Sequence, residues 1–304
     1  MEVVKAWRGL NNVTDPLRLG LDWLVQADNV DVSETGAIKK RSGYIKTLAG
    51  AFTAAYATLD FRRLYAVVGG ALVAMAGPAT SVVLRSGLNP APMHWCEVNN
   101  DVYFSNGVDS GIIQSDHTIL LWRDTLLSDA KFYDAAGVLR PSLLSTLPLG
   151  VGPIQHWGGR IYAAQYFASE NQTVVWISQP LGYHLFNLDS DFFLVSGQVT
   201  MLAPHDAALV VGTDQTIYAY TSEKLAVLAD YGVVPGQHWS KDEERILFWS
   251  KRGLCAALPF ANLTDSRVSV APGVKAGGAM VLDQGRKRYL AALQVGGSPF
   301  NSLL

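Results

Sequence analysis

Short apolar runs of β character recur along this chain, each led in by a polar or glycine turn. Arg63 to Val68 passes through Gly69-Gly70 into Ala71 to Met75, two strands around a two-residue glycine turn. Asn99-Asn100-Asp101 leads into Val102 to Ser105, and Trp157-Gly158-Gly159 into Arg160 to Gln165. His205-Asp206, Asp242-Glu243-Glu244 and Asp283 to Lys287 introduce the later runs. With Leu64, Val102, Ile161, Leu209, Ile246 and Tyr289 as equivalent points, the steps are 38, 59, 48, 37 and 43 residues. Most lie near the ~40–50 residues of a four-stranded propeller blade. The expected fold is therefore all-β: a β-propeller of about six blades, with five to seven admitted by the uneven steps. The 59-residue step holds an irregular apolar stretch, Ile119 to Leu149.

Two rival folds fit less well. A sandwich would struggle to absorb roughly 250 residues in one core, whereas a propeller grows by adding blades. A doubly wound α/β fold needs a helical pattern of about 10–15 residues between strands, and none is seen. The 304 residues are 49% hydrophobic and 16% charged, enough for a large core and too apolar for disorder. The 24 basic and 26 acidic residues leave a formal charge of −2, which argues against a general nucleic-acid-binding surface. No apolar run is long enough for a membrane span, and Glu2, Lys5 and Arg8 break any secretory signal.

Searches for catalytic chemistry give little. Cys96 and Cys255 are far apart with no CxxC partner, so neither a disulfide framework nor a cysteine zinc site is expected. The six histidines have no metal-ligand spacing. Three of them precede tryptophan (His94-Trp95, His156-Trp157, His238-Trp239), which reads as blade packing with each indole N–H satisfied at a turn. No Gly-x-Ser-x-Gly elbow is present. Asp189 and Asp191 are the close acidic pair flanked by aromatics; a glycosidase would need them to converge in a cleft, and a turn explains them equally well. Gly69-Gly70, Gly158-Gly159, Gly277-Gly278 and Gly296-Gly297 read as turns, because no Lys-Ser or Lys-Thr follows them into a helix. No cofactor, no metal and no enzymatic activity are expected.

The first 50 residues have a pattern of their own. They contain Gly9-Leu10-Asn11-Asn12 with Pro16 after it, then Ala27-Asp28-Asn29-Val30-Asp31, then Gly36-Ala37 and Arg41-Ser42-Gly43-Tyr44. This arm resembles the N-terminus of tail propeller proteins of tailed bacteriophages, the nozzle and tail-accessory proteins. Val175 to Leu181, Val211 to Asp214, and Phe248 to Cys255 followed by Pro259-Phe260 extend the resemblance over most of the chain. Members from short-tailed phages are often longer, so this chain is similar to a compact version.

The resemblance implies an arm and lead-in strand over residues 1–50 and a propeller over 51–304. It implies a virion structural protein of the tail that assembles as a homo-oligomer with other tail proteins. DNA would pass a lumen without specific binding. Asn11, Asn12, Pro16, Asn29, Asp31, Arg41 and Tyr44 are the candidate assembly residues. The Lys39-Lys40-Arg41 cluster is either a solvated turn or a contact with an acidic neighbour or nucleic acid. The alternative is a propeller that binds a host receptor or carbohydrate through exposed aromatics, with Trp122, Tyr133, Trp176 and Tyr183 as candidates.

Overall fold

The computed structural model describes residues 4–28, 30–33, 35–41, 50–77, 80–122, 144–283, 285–296 and 302–303. Among them there is no α-helix, and Pro16–Arg18 forms a single 3-10 turn. The chain is all-β, and its strands follow one another in antiparallel meanders, as in a β-propeller.

Blade 1 comprises Phe52–Ala57, Leu64–Val68, Ala71–Gly77 and Thr80–Arg85; blade 2 comprises His94–Val98, Asp101–Ser105, Ser110–Ile113 and Ile119–Leu120. Blade 3 begins with Val151–Trp157, Arg160–Phe167 and Gln172–Gln179, the last of which pairs with both Gly182–Phe186 and Phe192–Ser196. Blade 4 is Val199–Pro204, Leu209–Thr213, Ile217–Thr221 and Lys224–Ala229. Blade 5 is Ser240–Asp242, Arg245–Ser250, Gly253–Ala257 and Ala261–Asn262.

Five blades form among the described residues, at the low end of the five to seven expected. The sixth repeat, around Tyr289, is a ribbon of two nine-residue strands, Lys275–Asp283 and Arg286–Gln294, with the two-residue Ser302–Leu303 beside it. A polar turn followed by an apolar run marks any antiparallel hairpin, so the repeat signal does not distinguish a ribbon from a blade. Gly277 and Gly278 were expected in a turn, yet they lie inside this ribbon opposite Ala292 and Ala291. Gly69-Gly70 and Gly158-Gly159 do close hairpins, and all four have φ between 56° and 78°. Side chains with a Cβ are disfavoured there.

The chain forms two compact units: Thr47–Trp239, which holds blades 1 to 4, and Met1–Lys46 with Ser240–Leu304. The N-terminal residues therefore pack with the C-terminal sheets, and among the described residues no free-standing extended arm is seen.

Within the larger unit, the first strand of blade 3 packs beside the first strands of blades 2 and 4. Alternate residues of a strand point to opposite faces, so one strand feeds two cores. In blade 2, Val102 and Phe104 join Tyr65, Leu72 and Trp95 from blades 1 and 2, while Tyr103 joins Ile161, Phe186 and Val151 against blade 3. Blade 3 repeats the division: Ile161 and Ala163 face back, while Tyr162 and Ala164 face forward to Leu209 and Val211 of blade 4.

A buried segment follows blade 4. Val233 donates to the Thr213 carbonyl at 2.7 Å, and Thr200 Oγ1 donates to the Val233 carbonyl at 3.3 Å. Farther along, the Ala55 N–H of blade 1 donates to Gln237 Oε1 at 3.2 Å, so this segment ties blade 4 to blade 1. His238 is fully buried, with Nε2 2.6 Å from the Val234 carbonyl, and burial lowers its pKa to about 4.

Two measurements follow. Phe104 is fully buried between blades, so Phe104→Ala is expected to cost about 3–5 kcal/mol in urea unfolding. His238 stays neutral when folded, so the unfolded chain takes up its proton first as the pH falls. Stability should decline from about pH 6.5 toward pH 4 by up to ~1.4 kcal/mol per pH unit from this group, and His238→Gln should flatten that slope.

Candidate assembly site

The N-terminal segment is folded by its own polar side chains. The Asn11 N–H donates to the Leu24 carbonyl at 2.8 Å, and the Leu24 N–H donates to the Gly9 carbonyl at 2.9 Å. Asn11 Oδ1 accepts from the N–H groups of Val13 and Thr14 at 3.2 and 3.0 Å, a side-chain turn that frees the backbone from regular structure. Pro16 opens the 3-10 turn, whose preceding residue, Asp15, accepts the Leu17 N–H at 3.0 Å. Asn11 and Pro16 thus act locally.

Asn12 and Asp31 act at long range. Asn12 uses its amide as a backbone would: Nδ2 donates to the Ser269 carbonyl at 3.0 Å, and Oδ1 accepts the Ser269 N–H at 2.7 Å. Its own N–H donates to the Arg267 carbonyl at 3.0 Å. Asp31 lies in the hairpin Val30–Val32 with Ile38–Lys40. One carboxylate oxygen accepts Arg288 Nη1 at 2.8 Å, and the other accepts Arg41 Nε at 3.3 Å. The Arg288 hydrogen bond is the main reason the Asp31 carboxyl is held below its ordinary range, and Arg41 adds to it. The basic cluster therefore does meet an acidic neighbour through Arg41, inside the same chain. Asn29 and Tyr44 lie outside the described residues.

Sequence reasoning missed Arg267, Ser269 and Arg288, which complete these contacts from over 250 positions away. The only available hint was the dense basic run Arg286-Lys287-Arg288, whose Lys287 pairs with Asp242 and Glu243 at 3.2 and 2.8 Å. Beside the Asn12 contact lies a groove of about 320 Å³ lined by Val13, Trp249, Lys251, Arg252, Thr264 and Ser269.

Several apolar residues of the same segment are exposed, while Leu10, Leu19, Trp23 and Leu24 are half-buried. Leu17 is 94% exposed and Leu21 65%, with Val13, Val25 and Ile38 exposed as well. Hydrogen bonds hold the segment's backbone to the protein while these five apolar side chains are exposed.

The other candidates sit elsewhere. Trp122 and Tyr183 are buried in the core between blades 2 and 3, packed around Tyr103, so neither is the exposed aromatic expected of a sugar reader. Trp176 is half-buried, its indole donating to Gln165 Oε1 at 2.9 Å, and Tyr133 lies outside the described residues. Asp191 is bound by Gln179 Nε2 at 2.6 Å within the turn leading to Phe192–Ser196, and the Asp189 N–H donates to Asn187 Oδ1 at 3.1 Å. The turn accounts for this acidic pair.

Of the paired indoles, Trp157 donates to the His205 carbonyl at 2.6 Å, as expected. Trp95 Nε1 is buried with no hydrogen-bond partner among the described residues, which departs from the expectation. Both cysteines are buried and form no disulfide, and Cys255 Sγ donates to Ser250 Oγ at 3.3 Å. Among the described residues, no group of three His, Cys, Asp or Glu side chains could hold a metal ion.

No protein-family profile and no curated protein matches the chain. Solved structures do match. The extracellular domain of a one-component system from B. thetaiotaomicron shares 10% identity over 80% of this chain and 31% of its own length, with a TM-score of 0.48. This chain thus spans about a third of that protein. A gluconolactonase from Xanthomonas campestris shares 12% identity over 82% of this chain and 85% of its own, with a TM-score of 0.49. PorZ, a surface component of the type-IX secretion system of Porphyromonas gingivalis, shares 15% over 88% and 33%, with a TM-score of 0.41. None of these three is described as a phage protein. The expectation that the chain is not an enzyme does not stand, since a gluconolactonase is among the matched structures, a likeness of fold alone. A shared fold does not imply a shared activity. No helix among the described residues is long and apolar enough to cross a membrane.

Asp31→Asn removes the charge that holds Arg41 and Arg288 together. It should lower stability by about 1–2 kcal/mol, between the values for exposed and buried pairs. Because the folded-state pKa is depressed, wild type should keep this contribution above about pH 4 and lose it as pH falls through the folded value. Unfolding curves of the two proteins should then converge at the acid end.

Proposed function

We propose that the chain is a structural component of a bacteriophage tail, assembling with copies of itself and other tail proteins as a ring or multimer through its N-terminal segment. The observation that carries this reading is the orientation of that segment. Asn12 and Asp31 fix it in place, while Leu17, Leu21 and Val13 are left in water. Exposed apolar side chains on a pinned backbone make a preorganised contact, since the ordering cost is met before any neighbour arrives. The segment is also the one whose residues resemble tail proteins. The near-neutral formal charge of −2 would let DNA pass a lumen without being trapped.

Leu17 and Leu21 are exposed, so replacing them leaves the fold alone. Burying each leucine in a neighbour is worth about 1.5–3 kcal/mol, so Leu17→Asp with Leu21→Asp should weaken association by at least 100-fold. Mass photometry should then show a shift to single chains, and tails assembled with the variant should lack it. An unchanged oligomer and normal incorporation would reject the reading.

A further inference from the structure

The whole-chain charge of −2 conceals a partition. The unit made of Met1–Lys46 and Ser240–Leu304 holds 16 Lys and Arg against 11 Asp and Glu, a formal charge of +5. Thr47–Trp239 holds 8 against 15, or −7. The total averages the two, so it does not speak against a basic surface on the first.

Within the positive unit the fold brings together two basic runs from opposite ends of the chain, Lys39-Lys40-Arg41 and Arg286-Lys287-Arg288. Asp31 makes the junction: its carboxylate accepts Arg288 Nη1 at 2.8 Å and Arg41 Nε at 3.3 Å. Lys39 stands opposite Asp31 in the hairpin register, so both leave the face that meets the ribbon, while Ile38 and Lys40 leave the other. On the ribbon, Arg286 and Arg288 are alternate residues and share a face. Lys287 turns to the opposite one and pairs with Asp242 and Glu243. Lys39, Arg41, Arg286 and Arg288 thus gather around one carboxylate. Lys39 and Arg286 are exposed, and the Arg41 and Arg288 side chains are 27% and 26% exposed.

We propose that this patch grips the phosphate backbone of duplex DNA without reading the base sequence. Ammonium and guanidinium groups are the usual partners of phosphate, whereas the cores of protein interfaces are poor in lysine. The ribbon's aromatic, Tyr289, lies on the opposite face with Lys287, so the ribbon brings no ring to the patch on which an unpaired base would stack. That favours duplex over single strand. Asp31 is a positioning residue: its single carboxylate holds two guanidiniums side by side against their own repulsion before any phosphate arrives. A patch of four cations holds DNA loosely at physiological salt, so the duplex stays free to move along it. The proposal does not rest on the tail reading, and its test uses no tails.

The test is fluorescence anisotropy of the full chain with labelled duplexes of two unrelated sequences, at roughly 50 to 200 mM salt. Wild type should bind both alike, with log affinity falling against log salt at a slope of about −3 to −4. Lys39→Gln with Arg286→Gln should flatten the slope by about 2 and weaken binding at least tenfold at low salt, and each single variant should flatten it by about 1. Arg41 and Arg288 stay in place because they hold Asp31. Lys224→Gln, exposed on the negative unit, should change neither value. No binding by wild type at the lowest salt, an unchanged slope in the double and both single variants, or an equal effect of Lys224→Gln would overturn the proposal. So would a double variant that changes oligomeric state without DNA, which would assign the patch to a contact between copies.

Discussion

Everything in the larger unit depends on one property of extended chain: neighbouring side chains point to opposite faces. A central strand of a blade cannot fill one core without addressing another. Tyr103 and Phe104 are adjacent in sequence and bury their rings in different cores. Ile161 and Tyr162 do the same one blade later. A substitution in such a strand disturbs a single interface, but a shift of register by one residue would exchange both at once. The glycine hairpins guard against that shift, because two-residue turns at Gly69-Gly70 and Gly158-Gly159 fix the pairing from their closed ends.

Polar side chains do the joining where strands do not. Gln237 accepts an N–H from Ala55, carrying the segment after blade 4 to the first strand of blade 1. In the other unit, Asn12 pairs with the backbone of Ser269 much as an added strand would, and Asp31 gathers Arg41 and Arg288. Such contacts order irregular chain at the cost of only a few side chains. They also leave nearby apolar residues uncovered: Leu17 and Leu21 beside the Asn12 contact, and Leu59 and Phe61 at the turn held by Thr58 and Glu97. In both places the backbone is fixed first and the apolar side chains are presented by it.

Much of this was legible in the residues. The hairpins at Gly69-Gly70 and Gly158-Gly159, the turn reading of Asp189 and Asp191, and the repeat positions at Leu64, Val102, Ile161, Leu209 and Ile246 all fall in strands or turns as expected. The sixth repeat misled because its turn and strand look like a blade's, while the fourth strand that would complete one is not there among the described residues. Trp122 and Tyr183 looked like surface aromatics since nothing local reveals which face of a propeller strand is covered. Asn12 and Asp31 were picked from a pattern, but their partners were invisible. An Asn–backbone pair or a carboxylate with two guanidiniums imposes no spacing when the groups lie on distant parts of the chain.

The sequence alone determined the all-β class and the approximate places where blades begin, because both follow from local physics: alternation of apolar residues and turns that need glycine or polar side chains. Tertiary structure decided the rest. It set five blades among the described residues, at the low end of the expected range, sent Tyr103 and Phe104 to separate cores, and turned the N-terminal segment back onto Arg267, Ser269 and Arg288. It also decided that Leu17 and Phe61 would face water. Burial is a relation between segments far apart in the chain, and no short window of sequence contains both sides of it.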